Sequence, residues 1–362
     1  MSRKHFSWLL FITVVAAFTV LLIPGKTGRE SIRESERLLP GMESQANDIT
    51  WLRVSGAGNE TVATLERRGE AWVVEEASAY RADWAKLKKL LADLARAEIV
   101  EAKTANPAYY DRLGVEDVSN DEAGGILIEF DTASGIPAVI VGNRSQGRSG
   151  RYVRLREAET SALIDRDLEL PADRSAWLDR DIIDIGDGEV VEVSITQADG
   201  GKLRIVKASA GEENFLLQNI PEGRAARSEW TVNAPAKALS GLTLEGVRPA
   251  DELDWSGSVH YSLVTTDRVI IDADLLQVEQ SSDADSAQDA YWIRLQAGVY
   301  PTALAEGEEG DAAVEETLAR AESLNSTFAG WAYRIPKYKY DAMVKRLDDL
   351  LEPLESGQSE GS

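Results

Sequence analysis

Cysteine is absent from this 362-residue chain, and histidine occurs only twice. Without cysteine the chain has no disulfide, no thiol nucleophile and no thiolate ligand for a metal. A catalytic triad in the body of the chain would depend on His260 as its base, because His5 precedes a hydrophobic run. The sequence also lacks the Gly-x-Ser-x-Gly, phosphate-loop and His-Glu-x-x-His motifs. We therefore predict a protein that is not an enzyme and that uses no metal and no cofactor.

Negative charge exceeds positive charge. The chain has 39 Lys and Arg residues against 62 Asp and Glu residues, which gives a formal net charge of −23. Nucleic acid phosphates repel such a chain, so the composition excludes a general nucleic-acid-binding role. With 43% hydrophobic and 28% charged residues the composition is that of a globular protein, and the length favours two domains.

One long uncharged run stands apart, Phe6–Ile23. Its eighteen residues, at a helical rise of about 1.5 Å each, span about 27 Å, close to the thickness of the hydrocarbon core. The apolar region of a signal peptide is shorter and ends in a small-residue cleavage site, whereas Ala16 and Ala17 lie in the middle of this run. We predict an uncleaved membrane anchor that contacts the lipid bilayer through residues 6–23. A cleaved signal peptide and a buried helix are the alternatives.

The charges that flank the run indicate its orientation. Arg3 and Lys4 precede it and favour a cytoplasmic N-terminus, although Lys26 and Arg29 follow closely and reduce the asymmetry. The prediction is a single-pass protein of the inner (cytoplasmic) membrane, with its C-terminal body in the periplasm or outside the cell.

Beyond residue 23, changes in amino-acid composition and in the spacing of apolar residues divide the chain into segments. The fold class that they predict is α+β, an N-terminal transmembrane helix followed by two duplicated α+β domains with antiparallel sheets. The predicted segments are a membrane anchor (1–24), a stalk or linker (25–48), a first α+β repeat domain (49–185), a second α+β repeat domain (186–354) and a disordered acidic tail (355–362).

The first repeat begins with strand patterns and continues with a helical one. Apolar residues at spacings of three and four, with Asp83 as the cap, predict an amphipathic helix over Asp83–Ile99 with Trp84 on its apolar face. Trp177 is predicted to be a core residue. The strands expected around the helix are 49–54, 61–67, 69–74, 125–130, 137–143 and 151–155.

The second repeat has the same order of elements. A shorter helix is expected over Ala234–Leu244, and Trp292–Leu295 repeats the pattern of Tyr152–Leu155 after a period of about 150 residues. Two helices, over Gly310–Asn325 and Tyr340–Leu354, are predicted near the end of the chain. The expected strands are 190–196, 202–208, 214–219, 229–233, 259–265, 268–278 and 290–297.

Several local phrases of the sequence are distinctive. They are the N-terminal anchor, ITWLRV (49–54), GEAWVV (69–74) before the helix ADWAKLKKLLADL, YYDRLGVED (109–117), GRYVRL (150–155) and WAYRIPKYKYDAMVKRLDDLL (331–351). Together they resemble a known bacterial family, the membrane-anchored proteins with the domain of unknown function four-three-four-zero (DUF4340). The resemblance covers nearly the whole chain, and its motifs are structural. It implies a neighbourhood of gliding-type ABC transport components and supplies no catalytic residues.

An arginine-rich hairpin loop, Asn143–Arg156, is the first candidate for a binding site. Arg144, Arg148 and Arg151 lie among glycines there, and guanidinium groups in such a loop bind phosphate or the carboxylates of a partner. The alternative is that the glycines only form the turn and that the arginines balance nearby acidic residues.

Three other features favour structural interpretations. His260 is expected to be an exposed or hydrogen-bonded strand residue. Ser281–Asp289 does not fit a calcium loop, because Gln288 and Arg294 take the positions that need Gly and Glu, so we predict a solvated loop. The aromatic run Trp331–Tyr340 is expected to pack as a corner, with sugar or membrane stacking as the alternative.

Together these observations predict a non-enzymatic, membrane-anchored, extracytoplasmic accessory subunit of an ABC-transport or cell-envelope complex. Its partners would be membrane proteins, among them ABC transporter subunits, and it would act through protein–protein contacts. The alternative is a tethered protein that binds a small solute in a pocket between the two domains.

Overall fold

The protein is described by a computed structural model that covers residues 36–131, 133–147, 149–209, 211–279, 289–300 and 311–353. Antiparallel strands dominate and a few helices accompany them, so the α+β class is confirmed. The run Phe6–Ile23 lies outside these residues. Among the helices within them, none combines the length and the apolar character that a membrane crossing requires.

The strands are β1 (Glu36–Arg37), β2 (Trp51–Ser55), β3 (Thr61–Arg68), β4 (Ala71–Val74), β5 (Tyr80–Arg81), β6 (Glu98–Ala102), β7 (Ile126–Phe130), β8 (Val139–Arg144), β9 (Arg151–Leu155), β10 (Ala162–Ile164), β11 (Asp181–Ile183), β12 (Val190–Thr196), β13 (Lys202–Lys207), β14 (Phe215–Leu217), β15 (Leu242–Thr243), β16 (Gly246–Pro249), β17 (Val259–Thr265), β18 (Val269–Val278), β19 (Ala290–Val299) and β20 (Trp331–Arg334). The helices are α1 (Met42–Gln45), α2 (Trp84–Arg96), α3 (Tyr110–Leu113), α4 (Glu229–Asn233), α5 (Asp311–Phe328) and α6 (Lys337–Met343).

The chain forms two compact units. Unit 1 consists of Met1–Ile49, Gly56–Glu60 and Lys89–Glu169, and unit 2 of Thr50–Ser55, Thr61–Lys88 and Leu170–Ser362. The predicted domain boundaries at residues 49, 185 and 354 stay a prediction.

Unit 1 contains an antiparallel sheet with the strand order β1-β6-β10-β9-β8-β7. The short helix α3 covers part of this sheet, and Gly114, the residue that caps its C-terminus, adopts a left-handed conformation. Below the helix lies a buried hydrophobic cluster, which consists of Tyr110, Val115, Val118, Leu127 and Ile140. Residues 109–117 (YYDRLGVED) therefore cover part of the hydrophobic core of unit 1.

The described part of unit 1 is folded from Glu36 onward, before the position predicted for the end of the stalk. Glu36 pairs with Ile99, and Met42 is 1% exposed. Leu38 and Leu39 are buried as well. These apolar residues lie among charged ones and follow neither a helix period nor a strand period. The sequence pattern therefore did not predict that this segment is folded.

Helix α2 begins as the sequence predicts. The Asp83 carboxylate accepts a hydrogen bond from the Lys86 N–H at 2.9 Å, so Asp83 caps the helix. Leu87 and Leu94 are fully buried. The prediction for Trp84 was wrong: its side chain is 52% exposed, and its ring stacks on Trp72 with centroids 6.5 Å apart.

Unit 2 contains the meander β2-β3-β4-β5, the pair β11-β15, and a sheet with the order β14-β13-β12-β17-β18-β19-β20-β16. All described pairings are antiparallel. Trp177 is fully buried, as predicted, and its indole N–H donates to the Pro171 carbonyl at 3.1 Å. Helix α5 is fixed to β19 by the Asn325 side chain, which makes two 2.8 Å hydrogen bonds with the Ala297 backbone.

The strand predicted over 229–233 and the helix predicted over 234–244 were wrong. Residues 229–233 form α4, because the Asn233 side chain accepts the N–H of Phe215 at 2.9 Å and holds the turn against β14. A 3₁₀ turn (Ala234–Lys237) and the strand β15 replace the predicted helix. Tertiary contacts thus override the strand propensity of Thr231 and Val232.

The last helix also differs from its prediction over Tyr340–Leu354. It begins directly after Pro336, whose extended backbone (φ −58°, ψ 140°) places the proline outside the helix as its N-cap. It ends at Met343, because the Gln197 side-chain amide donates hydrogen bonds to the carbonyls of Val344 and Lys345 at 3.1 and 3.0 Å. A separate 3₁₀ turn, Leu347–Leu350, follows.

Candidate functional site

The predicted arginine site lies on the β8–β9 hairpin of unit 1. Tight backbone packing fixes its base: a Cβ at Gly150 would lie 1.9 Å from the Ile164 carbonyl oxygen, so only glycine fits there. The Ser145 N–H donates to the Gly150 carbonyl at 3.0 Å and closes the loop. Arg144 ends one strand and Arg151 begins the other, so their side chains start from neighbouring positions.

Both arginines meet on one carboxylate. The Nε atoms of Arg144 and Arg151 lie 3.0 and 3.2 Å from Oδ1 of Asp167. Arg151 also donates to the Gly142 carbonyl at 3.0 Å and is only 16% exposed, whereas the Arg144 side chain is 65% exposed. Arg148 lies outside the described residues. The structure therefore brings two of the three predicted residues together and leaves one of them, Arg144, mostly open to solvent.

The charge balance of this cluster is positive. Burial alone would raise the pKa of Asp167, but the hydrogen bonds and charges of Arg144 and Arg151 outweigh it and hold that pKa below its usual range. Asp167 is therefore ionised at neutral pH, and one negative charge faces two guanidinium groups. An excess of positive charge at an exposed loop is unusual in a chain of net charge −23.

The two other arginines of the hairpin serve the fold. Arg154 is 7% exposed and donates to the carbonyls of Val115, Arg156 and Ala158 at 2.8, 3.0 and 3.1 Å. Arg156 pairs with Glu129 at 2.7 Å. Neither of them was proposed from the sequence as a contact residue, and the structure separates the exposed Arg144 from the arginines that are committed to packing.

A second candidate lies in unit 2, where a polar cleft of about 400 Å³ opens beside β13 and α4. Lys207 donates to the Asp187 carbonyl at 2.8 Å, and the Lys237 ammonium lies 3.2 Å from the Asp187 carboxylate. Asn233 is 8% exposed and donates to the Asn214 side chain at 2.8 Å. The cleft is lined by Asp187, Gly188, Lys207, Gly211, Glu212, Glu213, Asn214, Asn233 and Lys237. No local motif marks these residues in the sequence, since they come from three separate segments.

His260 is an exposed, hydrogen-bonded strand residue, as predicted. Its Nδ1 lies 3.0 Å from the Asp274 carboxylate on the neighbouring strand, and the Arg294 Nε donates to the same carboxylate at 2.8 Å. Burial would raise the pKa of Asp274, but the hydrogen bonds from His260 and Arg294 outweigh it, and the pKa is lowered. The His260 side chain is 48% exposed.

The aromatic run forms a packed corner, as predicted for Trp331–Tyr340. Tyr333 and Ile335 are fully buried, and burial raises the pKa of the Tyr333 phenol. Tyr338 is the exception, with 68% exposure. The loop Ser281–Asp289 lies outside the description except for Asp289, whose carboxylate accepts from the Gln277 amide at 2.8 Å. Over the described ranges, no three His, Asp or Glu side chains are grouped as metal ligands.

These features define the class of the protein, an α+β protein of antiparallel sheets with a cationic hairpin on unit 1. Residues 72–282, more than half of the chain, match the profile of the family described as "Domain of unknown function (DUF4340)". The chain belongs to this family, which confirms the resemblance. The phrases ITWLRV (49–54) and WAYRIPKYKYDAMVKRLDDLL (331–351) lie outside the matched residues. No curated protein and no solved structure matches the chain.

Proposed function

We propose that this protein is a non-enzymatic accessory subunit of an ABC-transport or cell-envelope complex. The run Phe6–Ile23 anchors it in the inner membrane, and its body lies in the periplasm or outside the cell. It acts through protein–protein contacts, and confinement to the membrane plane raises its effective concentration toward membrane partners.

The observation that carries the proposal is the exposed Arg144. Its guanidinium shares the Asp167 carboxylate with Arg151, so the cluster keeps an uncompensated positive charge at the surface. Guanidinium groups bind carboxylates in a bidentate geometry. An acidic patch on a partner subunit is the complement of this hairpin.

The proposal includes a duplicated body. Its support is the strand order. The order β6-β10-β9-β8-β7 in unit 1 corresponds to the order β16-β20-β19-β18-β17 in unit 2. In unit 1 the strands β7 to β10 form a meander, and β6, which precedes them in the chain, pairs with β10. In unit 2 the strands β17 to β20 form a meander, and β16, which precedes them, pairs with β20. A helical segment comes before each set, and the meanders β2-β3-β4 and β12-β13-β14 come before the helical segments. A crystal structure in which the two five-strand sets fail to superpose would contradict the duplication.

The test of the function is capture from membranes. The full-length chain, solubilised from native membranes after cross-linking, should recover ABC transporter subunits identified by mass spectrometry. Arg144→Glu should reduce that recovery about tenfold, because it replaces attraction by repulsion at an exposed contact. Arg151 is a poor choice for this test, because it also holds the Gly142 carbonyl.

Arg68→Glu is the matched control, since Arg68 is 52% exposed and pairs with Glu75 at 2.7 Å in unit 2. Its recovery should equal that of the wild type. Unchanged capture by Arg144→Glu would exclude the hairpin as the contact, and a chain that captures no membrane protein would end the proposal.

The second candidate function is a tethered solute-binding protein, which the cleft of unit 2 favours. The sequence-based hypothesis put the pocket between two domains, whereas this cleft lies within one unit. Lysine and carboxylate side chains together suit a small zwitterion, such as a free amino acid. Calorimetric titration with the common amino acids, with Lys237→Ala as the comparison, tests it. Absence of binding to the wild type would refute it.

A further inference from the structure

We propose that an exposed aromatic surface of unit 2 contacts the lipid bilayer, with the rings of Trp230 and Tyr338 at the level of the lipid head groups. This inference rests on the proposed function for the membrane anchor. It concerns lipid, whereas the arginine hairpin of unit 1 concerns a protein partner. The aromatic surface consists of Trp230, Lys237, Lys337, Tyr338 and Lys339.

The first step is the exposure of the two rings. Trp230 is 79% exposed and Tyr338 is 68% exposed. Among the large hydrophobic side chains of the described residues, these two have the highest exposed fractions. The helices that carry them also pack into the core, since α4 buries Val232 and α6 buries Met343. Two folded helices therefore hold the rings outward.

The second step is the position of Trp230 relative to the lysine that follows it. Helix α4 and the 3₁₀ turn after it form one helical stretch, residues 229–237. Trp230 and Lys237 are seven residues apart, about two helical turns, so they lie on the same face. Lys237 is 52% exposed, whereas Val232 and Ala236 of the same stretch are buried. The stretch therefore has one buried face and one face that carries Trp230 and Lys237.

The third step is the contact between this stretch and α6. The Lys339 ammonium donates hydrogen bonds to the carbonyls of Lys237 and Ser240. The same ammonium lies 5.8 Å from the centroid of the Tyr338 ring. Tyr338 is therefore placed beside the C-terminal end of the stretch that carries Trp230, and the two rings belong to one surface.

The charge of the aromatic surface is close to zero. Lys339 and the exposed Glu229 contribute one charge of each sign. Two ion pairs lie beside them, Lys237 with Asp187 at 3.2 Å and Lys337 with Asp341 at 2.7 Å. The chain as a whole has a net charge of −23, so anionic head groups repel most of its surface. They do not repel this one.

The size of the surface decides between lipid and protein as the occupant. A buried tryptophan or tyrosine covers about 150–250 Å². Two such rings remain below the ~800 Å² that each partner contributes to a stable protein interface. A lipid contact needs less area, because the anchor raises the effective concentration of the body at the bilayer.

The chemistry of the side chains also favours lipid. Tryptophan and tyrosine are enriched where a membrane meets water, because their rings are apolar and their N–H and O–H groups stay hydrated. Lysine is depleted from the cores of protein interfaces. At a membrane, its stem lies along apolar surface while its ammonium stays among the head groups.

The length of the linker keeps lipid within reach. Residues 24–35 connect the hydrophobic run to the first described residue, Glu36. Twelve residues reach at most about 40 Å. When the run spans the bilayer, the body of the chain therefore stays close to a lipid surface.

The experiment makes use of the absence of cysteine. The full-length chain with Glu229→Cys has a single thiol, next to Trp230, and takes one NBD fluorophore. It is reconstituted into vesicles of phosphatidylethanolamine and phosphatidylglycerol, with and without a lipid that carries a nitroxide quencher at its head group. Contact with the bilayer should shift the emission to the blue, and the quencher should lower it at least about twofold.

The controls separate the surface from the label. Arg68→Cys, at a side chain of unit 2 that is 52% exposed, should be quenched far less. Trp230→Ala and Tyr338→Ala, each combined with Glu229→Cys, should lower the quenching toward that of Arg68→Cys. Trp84→Ala in the same background removes another ring that is 52% exposed and should leave the quenching unchanged. Thermal melts show whether each variant keeps its fold.

Salt distinguishes this contact from the arginine hairpin. The quenching should stay constant as the salt concentration rises, because mobile ions do not screen the burial of aromatic rings. Capture of a protein partner through Arg144 should fall under the same conditions.

Equal quenching at residues 229 and 68, or unchanged quenching in both alanine variants, overturns the inference. A benzophenone on the same cysteine that cross-links a membrane protein of native membranes, and not lipid, overturns it as well, because the occupant would then be a protein.

The two proposals fail separately. Quenching without capture of membrane proteins contradicts the accessory function alone, and capture without quenching contradicts the lipid contact alone. A chain that does not stay with the vesicles contradicts the anchor, on which both depend.

Discussion

At the scale of single residues, glycine decides how the family phrase YYDRLG (109–114) packs. A Cβ on Gly142 of β8 would lie 2.2 Å from the Leu113 carbonyl oxygen, and one on Gly125 would lie 2.3 Å from that of Gly114. The backbone at the end of α3 therefore lies directly on β8 and on the residue that precedes β7. This contact fixes the position of α3 on the sheet of unit 1.

Gly142→Ala should destabilise the fold by about 1–3 kcal/mol, because the added methyl group overlaps backbone that has no room to move. Denaturant unfolding measures the loss. Gly56→Ala in the same unit is the control, since a Cβ there meets nothing within 4 Å. Equal stability of the two variants would contradict the tight approach of α3 to β8.

The shared carboxylate of the hairpin gives a prediction for pH. Asp167 has a lower pKa in the folded chain than in the unfolded one, so its contribution is present above the ordinary pKa of about 3.9 and is lost as the pH falls through the folded value. Because Asp167 is 46% exposed, the contribution is below about 1 kcal/mol. Asp167→Asn should be less stable than the wild type at pH 7, and the difference should vanish in acid. A difference that grows below pH ~4 would contradict the ion pairs.

At the scale of elements, side-chain hydrogen bonds determine where a helix ends when the helix propensity of the residues does not. Gln197 is 8% exposed and its amide holds the segment that follows α6. The same segment pairs with the loop before α4, where Ala226 bridges Leu351. A buried amide on a turn thus positions the last described part of unit 2.

Gln197→Glu should destabilise this segment by about 1–3 kcal/mol, because a carboxylate facing two carbonyl oxygens loses the donor that they need. Hydrogen exchange of residues 344–352 should accelerate. Gln218→Glu, at an exposed amide 3.3 Å from the Leu216 carbonyl, should leave that exchange unchanged. The interpretation fails if both variants behave alike.

Strands with alternating patterns were predictable, and elements fixed by distant contacts were not. Residues 151–155, 190–196 and 259–265 form strands with the predicted bounds. Residues 229–233 have the same β-branched character but form a helix, because Asn233 bonds to Phe215. At the site, Arg144 was found because five arginines cluster between residues 144 and 156 of an acidic chain. Its partner Asp167 comes from a distant segment without a pattern of its own.

At the scale of the whole molecule, the prediction concerns topology. A reporter fused after Ser362 should lie outside the cytoplasm, so alkaline phosphatase should be active there and a green fluorescent reporter dark. Arg3 and Lys4 provide the physical reason, since positive charge stays on the cytoplasmic side. Replacing both by glutamate should reduce phosphatase activity. A cytoplasmic reporter on the natural chain would contradict both the localisation and the accessory role.

The carboxylate shared by Arg144 and Arg151 has a kinetic consequence. When an acidic partner engages Arg144, Asp167 stays neutralised by Arg151, and Arg151 still holds the Gly142 carbonyl. At the proposed contact the hairpin would therefore exchange one counter-ion for another without a change in its backbone. Association of this kind is fast and reversible, and added salt shortens its lifetime because mobile ions compete for the released guanidinium.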